Sequence, residues 1–444
     1  MTSDGVAPSP GRAVKLRIES LDSEGRGVAR NGEGKVTFVE GALAGELVQA
    51  EIVRGKPSFD IARAVKVIRA SAGRREPRCP HFGVCGGCIA QHADGRTQVA
   101  AKQRWLEDCL VRIGKTKPET MLPPVYGEEW GYRHRARLSV RRVAKKGGVL
   151  VGFRERRSSY VADMRECHVV PAQVSRLIVE LRELVEALSL RERLPQVEIA
   201  VGDEVTVLVF RILDALSGED ENRLRAFADA HGVWAWLQPG GPDSAYPFHP
   251  QPGPRLDYSL PEFGIRIAFK PTDFTQVNHA VNRVLVSRAV GLLDPMPGER
   301  VGDFFCGLGN FSLPIARRGA QVIGVDASEA LAERARDNAR ENGLAARVRF
   351  ECEDLFRIDP ARLGDLGPFD KLLLDPPREG AAEVAAALPE GWPQRIVYVS
   401  CDPGTLARDA GVLVHAKGFR LAAAGVVNMF PHTTHVESVA LFER

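Results

Sequence analysis

Apolar and polar positions change rhythm along the chain. Between residues 13 and 71, runs such as AVKLRIESL, GELVQAEIVRG and FDIARAVKVIRA carry apolar residues near every second position, with Gly, Asn and Pro turns between them. That rhythm predicts four or five short strands, enough for a small barrel of the OB type. From residue 271 the pattern becomes strand, Gly-rich turn, helix and strand in ERVGDFFCGLGNFSLPIARRGAQVIGVD. SEALAERARDNARENG reads as a further helix, VRFECED, DKLLLDPP and RIVYVSC as further strands, and a strand pair closes the chain. Alternating β and α segments predict a doubly wound, largely parallel sheet.

The intervening residues mix a helical stretch, QVAAKQRWLEDCLVRIG, with strand-like runs and end in the loop LQPGGPDSAYPFHPQPGPR. The expected organisation is a disordered tail over 1–12, an OB-like β-barrel over 13–71, a central α+β region over 72–270 and a Rossmann-like α/β domain over 271–444. The fold class is therefore α/β plus β.

Composition narrows the setting. The chain of 444 residues is 44% hydrophobic and 26% charged, with no apolar run of membrane-spanning length. MTSDGVAPSPGR lacks the apolar core of a secretory signal, so a cytoplasmic location is expected. Net charge is only +3, but residues 133–157 hold ten Lys or Arg against one acid, Glu155. Arg133, Arg135, Arg137 and Arg141 fall at even spacing with Ala136, Leu138 and Val140 between them. On a strand this places guanidinium groups on one face, suited to a phosphate backbone, and points to a nucleic-acid partner.

Five positions at strand ends carry candidate chemistry. In DFFCGLGNF, Gly307 and Gly309 permit a tight turn, Asp303 precedes it, and Asp326 ends the next strand where it can accept from ribose hydroxyls. The single G-x-G fits S-adenosylmethionine methyltransferases better than dinucleotide enzymes, although a Rossmann-like oxidoreductase stays open. Asp354 suits an adenine amino group or a helix cap. Asp375 in LLLDPPREG and Cys401 in VYVSCDPGTLARD end the fourth and fifth strands, so all these groups should share one rim. At a strand end before a polar turn, Cys401 is expected to be exposed and ionisable, whereas Cys306 and Cys352 read as packing residues. Glu437, a carboxylate within an apolar strand, suits a general base.

RCPHFGVCGGC places Cys79, Cys85 and Cys88 within ten residues. Reduced cytosolic thiols favour a metal site over a disulfide, with zinc or an iron–sulfur cluster both open.

Taken together, DSEGRGVAR, CPHFGVCGGC, FTQVN, DFFCGLGNFSLPIA, LDPPREGAA, VYVSCDPGTLARD and MFPHTTHVES resemble the bacterial RNA uracil-carbon-5 methyltransferases, especially those acting on 23S ribosomal RNA. The resemblance covers nearly the whole chain. It implies an N-terminal TRAM domain that binds RNA, and a four-iron, four-sulfur cluster on Cys79, Cys85, Cys88 and Cys167 with a structural role. It also implies an S-adenosylmethionine site lined by Gln276, Phe305, Asn310, Asp326, Asp354 and Asp375. Cys401 would be the nucleophile and Glu437 the base, acting on a uridine in single-stranded or loop RNA. Asp402 departs from the Asn usual after the nucleophile and should raise the thiol's pKa. A transfer-RNA methyltransferase, or a non-catalytic RNA-binding cluster protein, are the alternatives. A cytosine methyltransferase would show Pro-Cys where Asp375-Pro376-Pro377-Arg378 stands, and the C-x-x-x-C-x-x-C of a radical methylthiotransferase is missing.

Overall fold

The computed structural model describes residues 13–444; the expected disordered tail, 1–12, lies outside the described residues. By compactness the chain falls into two units, and the boundaries interleave. The first comprises the described residues up to Gly83 with Cys88–Trp105 and Pro431–Thr434; the second comprises Val84–Gly87, Leu106–Phe430 and His435–Arg444. Most of the central and C-terminal regions distinguished by sequence pattern falls in the second unit, while residues 72–83 and 88–105 of the central region and Pro431–Thr434 of the C-terminal region fall in the first.

In the first unit, six strands between Ala13 and Arg69 form one sheet. Leu47–Gly55 shows why: Val48, Ala50 and Ile52 are buried while Gln49, Glu51 and Val53 look outward, the period of a half-buried strand. They pack with Leu16, Ile18, Ala29, Val39 and Ala62 as a small core. Asp22 closes the turn of DSEGRG by accepting from the N–H groups of Glu24 and Arg26. Gly25 supplies the positive φ of 74° that this turn needs. Residues 70–94 contain no helix and no strand of the sheets, and the helix Gly95–Arg112 follows.

In the second unit a six-stranded sheet includes Arg135–Val143, which pairs antiparallel with Gln196–Val201 and Gly148–Gly152. Ala136, Leu138 and Val140 are buried and Arg137 and Arg141 exposed, as the alternation predicts, whereas Arg133 and Arg135 are half-buried and do not continue the exposed row. Some of the positive row is answered in place: Arg137 pairs with Glu198, and Arg142 with Glu186 and Glu192.

An eight-stranded sheet carries the C-terminal residues. Counting its strands from Arg300–Phe304, the order is 3-2-1-4-5-7-6, with Thr120–Met121 added beside strand 6. Strands 1 to 5 run parallel; Glu437–Glu443 inserts antiparallel against both Arg395–Ser400 and Arg420–Val427. Side chains alternate between two apolar layers: Val301, Leu373, Val397 and Val399 face one, Phe304, Leu372, Leu374 and Tyr398 the other. Burial on both faces is what a parallel sheet between helices requires. Chain order reverses between Arg300–Phe304 and Lys371–Leu374, so a ligand crevice is expected beyond their carboxyl ends. Among the described residues, no helix is long and apolar enough to cross a membrane.

Candidate active site

The glycine turn begins at the end of Arg300–Phe304. Phe305 adopts a positive φ of 64°, unusual for a bulky residue, and its ring packs 5.5 Å from Phe356. Gly307 and Gly309 follow with φ of 52° and 87°, so the backbone turns where no side chain obstructs it. The Gly307 N–H donates to Asp326 Oδ2 at 3.0 Å, and the Ser328 N–H to Oδ1 at 2.9 Å. Asp326 is thereby locked at the rim, each oxygen keeping lone-pair capacity for another donor. Asp303 beneath is fully buried; Ser312 Oγ donates to its Oδ2, whereas Oδ1 has no hydrogen-bond partner. Burial, then the Asp326 charge, raise its pKa to about 7 against the pull of Ser312.

The candidate nucleophile and candidate base come from neighbouring antiparallel strands. Ser400 pairs with Ser438, so Cys401 leaves its strand opposite the position of Glu437. Glu437 is 4% exposed at the start of its strand, paired on its other side with Val427. Cys401 is half-buried, and its thiol is not the exposed, ionisable group expected from sequence. Burial, then the Glu437 and Asp375 carboxylates, push it up to about 12; Arg378 is the cation that pulls it down. Asp402 contributes less than these, and its Oδ1 caps the helix Pro403–His415 by accepting from the N–H groups of Gly404 and Thr405. Burial, Glu437 and Asp303 in turn hold Asp375 well above the ordinary carboxylate range. The rim therefore gathers Asp303, Asp326, Asp375, Cys401 and Glu437.

Gln276 is buried in the loop before the helix His279–Leu293. Asn310 is engaged from within: its Oδ1 accepts from Asn282 and Tyr258, and its Nδ2 donates to Asn282 Oδ1. Asp354 is exposed, accepts from the Phe356 N–H and approaches Arg357 at 3.5 Å; the cap of the following helix is Asp359 instead.

Two family models match, the tRNA (Uracil-5-)-methyltransferase family over residues 262–444 and the TRAM domain over 9–65. A 23S rRNA (uracil(1939)-C(5))-methyltransferase, RlmD, of Nitrosospira multiformis is 61% identical over 429 residues, covering 96% of this chain and 98% of the relative. The chain belongs to the RNA uracil-C5 methyltransferases. Another member of this methyltransferase family, RlmD of Dechloromonas aromatica, is 60% identical over 427 residues, covering 96% of this chain and 99% of the relative. The solved tRNA (uracil-54, C5)-methyltransferase of Pyrococcus abyssi, in complex with S-adenosyl-L-homocysteine, shares the fold. It superimposes with a TM-score of 0.72 at 24% identity, covering 97% of this chain and all of that one.

Of the eight cysteines of this methyltransferase, the four candidate cluster ligands are divided between the units: Cys79 and Cys88 lie in the first, Cys85 and Cys167 in the second. Among the described residues, no group of three or more His, Cys, Asp or Glu within either unit forms a metal site. The local chemistry nevertheless suits ligation. Cys85 and Cys167 are buried, and Cys85 Sγ accepts from the Gly87 N–H at 3.4 Å, the kind of bond that tunes a cluster thiolate. The Cys79 N–H is fixed by Gln91 and the Cys167 N–H by Ser175 Oγ.

Sequence reading missed a polar group behind the glycine turn. The rings of His134 and His279 stack at 4.2 Å, and Tyr258 lies 5.2 Å from His279 while donating to Asn310. Burial, then His134 and nearby arginines, lower His279 to about 3, so it is neutral. The partners are up to 145 residues apart, His134 to His279, and only their shared polarity on apolar segments could have drawn notice. Cys352, read as packing, is exposed because its strand has already passed the edge of the core.

Proposed function

We propose that this enzyme methylates carbon 5 of one uridine in 23S ribosomal RNA, at the position its relatives modify, 1939 in their numbering. The placement of Cys401 opposite Glu437 on adjacent strands is the observation that carries the mechanism. Carbon 5 of uracil is too weak a nucleophile to be methylated unaided. Cys401 Sγ gives its proton to solvent as RNA enters, and the thiolate adds to carbon 6 and leaves an enolate. S-adenosylmethionine, when bound, supplies the methyl that carbon 5 takes. Glu437 then accepts the carbon-5 proton, and the electron pair of that bond expels the thiolate from carbon 6. Asp326 and the glycine turn, with Gln276, Phe305, Asn310, Asp354 and Asp375, would hold the cofactor and its junction with the base. The orphaned Oδ1 of Asp303 fits a site completed by a ligand with hydrogen-bond donors.

Arg137 and Arg141 with the TRAM domain would track the phosphate backbone, and the target base must leave its stack to reach Cys401. Cys79, Cys85, Cys88 and Cys167 would hold a four-iron, four-sulfur cluster that shapes the RNA-binding region, since the reaction moves no electrons between centres. The cytoplasm, where ribosomal RNA is modified, is the matching location.

The test uses anaerobically purified protein, S-adenosylmethionine and 23S RNA fragments carrying 5-fluorouridine. Fluorine cannot leave as a cation, so a covalent protein–RNA band should appear with the wild type and vanish with Cys401→Ala. Absence of the band on ribosomal RNA, with its appearance on transfer RNA, would move the substrate; absence on both would overturn the mechanism.

A further inference from the structure

The segment that precedes the base belongs to the other compact unit. Pro431–Thr434 lies in the first unit, while His435 and Glu437 lie in the second. Within the first unit this segment is held by three parts of the chain. The Ile89 and Ala90 N–H groups both donate to the His432 carbonyl, at 2.9 and 3.0 Å. Gln98, on the helix Gly95–Arg112, reads His432 twice: its Oε1 accepts from the His432 N–H at 2.7 Å, and its Nε2 lies 3.1 Å from Nδ1 of the ring. Gly25 of the TRAM turn sits so close to Thr434 that a Cβ there would meet Thr434 Cγ2 at 3.0 Å.

His432 is 2% exposed and has a φ of 65°, a left-handed conformation that is uncommon for a non-glycine residue. Gln98 is itself 4% exposed, and its Nε2 also reaches the carbonyls of Ala90 and Ala93. One amide thus ties the loop after Cys88 to the backbone five residues before Glu437. A primary amide has the donor and acceptor needed for both sides of His432; a glutamate keeps only the acceptor.

We infer that Gln98 is a positioning residue for Glu437: by fixing His432 in its left-handed conformation, it sets where the strand carrying the base begins. The inference rests on the proposed roles of Cys401 and Glu437. Its effect falls on one step. Methyl transfer requires Cys401 and the cofactor, whereas resolution of the methylated adduct requires the carboxylate of Glu437 to reach the carbon-5 proton. A loosened His432 slows the second step more than the first.

The experiment compares wild type, Gln98→Ala and Gln98→Glu on ordinary uridine-containing 23S RNA fragments with methyl-labelled S-adenosylmethionine. Labelled protein–RNA adduct on denaturing gels, turnover, KM for RNA and iron per chain are all measured. For Gln98→Ala, turnover is expected to fall about tenfold to a hundredfold, the cost of two buried hydrogen bonds. Labelled adduct should accumulate, with KM and iron content changed less than threefold. Gln98→Glu should fall between the two, and it carries the test if the alanine variant does not fold. Loss of turnover with no labelled adduct, or in proportion to lost iron or RNA affinity, would overturn the inference. A wild type that traps 5-fluorouridine beside a Gln98 variant with unchanged partitioning would sink this inference alone; a wild type that traps nothing would sink the reading beneath it.

Discussion

Ser400 and Ser438 face each other across the last antiparallel rung between two strands, and Ser438 Oγ also donates to the Ser400 carbonyl at 3.4 Å. The rung sets Cys401 and Glu437 at one level of the rim. A one-residue slip would turn one of them to the opposite face of the sheet. Register, more than any side-chain contact, pairs the proposed nucleophile with the proposed base.

Separate losses are therefore expected from the two residues. Cys401→Ala should abolish turnover by about 10⁴-fold or more and form no adduct, because the first bond is never made. Glu437→Gln should lower turnover by about 10²- to 10⁴-fold while labelled adduct builds up on ordinary uridine RNA. Quantitative gels of both variants check this; adduct from Cys401→Ala would remove it as nucleophile.

With its pKa pushed to about 12, the Cys401 thiol of the RNA-free enzyme is protonated throughout the neutral range. Its alkylation by iodoacetamide should be slow at pH 7 and rise about tenfold per pH unit to pH 9, without a plateau. Glu437→Gln removes a neighbouring negative charge and should speed alkylation at fixed pH; Arg378→Gln should slow it. Peptide mass mapping isolates this thiol from the others, and a plateau below pH 8 would refute the raised value.

Asp303 gives stability an opposite pH signature to that of a salt-bridged acid. Its folded pKa of about 7 lies above the ordinary 3.8, so between these values the unfolded chain loses a proton that the folded chain keeps. Its contribution is full below pH 3.8, falls as pH rises, and is gone above about pH 7, an upper limit of about 4 kcal/mol. Asp303→Asn should flatten this fall, stabilising the ligand-free protein at pH 8 relative to wild type. Denaturant melts at pH 5 and pH 8 measure the difference; equal slopes for both proteins would refute it.

Arg137 and Arg141 point away from the core of their sheet. Replacing both with Gln should weaken RNA binding about tenfold at 0.15 M salt, and reduce the slope of log affinity against log salt by about 1.4. An unchanged slope in a salt titration would mean that this face meets no phosphates.

Substituting any one of Cys79, Cys85, Cys88 or Cys167 with Ser should lower iron per chain in anaerobic preparations, from about four towards zero. Cys109→Ser and Cys352→Ser should leave it unchanged. Iron retained after all four single substitutions would rule out these ligands.

How much of this was legible follows physical lines. The glycine turn, Asp326 and the strand-end positions of Asp375 and Cys401 could be read because one backbone conformation and one topology dictate them locally. The alternation of Arg137 and Arg141 with Leu138 and Val140 was legible for the same reason. The thiol state of Cys401 was not, because burial and the carboxylates of Glu437 and Asp375 reach it from other strands. Nor was the inward engagement of Asn310, whose partners Asn282 and Tyr258 lie 28 and 52 residues away. The pairing of Gln98 with His432 spans 334 residues, beyond any periodicity.

That last separation has a consequence for synthesis. The ribosome makes Ile89, Ala90 and Gln98 early, but the backbone group they bind is made roughly 330 residues later. At about 5–20 residues per second, the N-terminal unit waits on the order of 16–65 seconds for its final four residues. Until then the amides of Ile89 and Ala90 must be satisfied by water or by a chaperone, and the nascent chain carries an open seam beside its cysteine loop. The first unit is thus closed by a segment translated 334 residues after the glutamine that holds it.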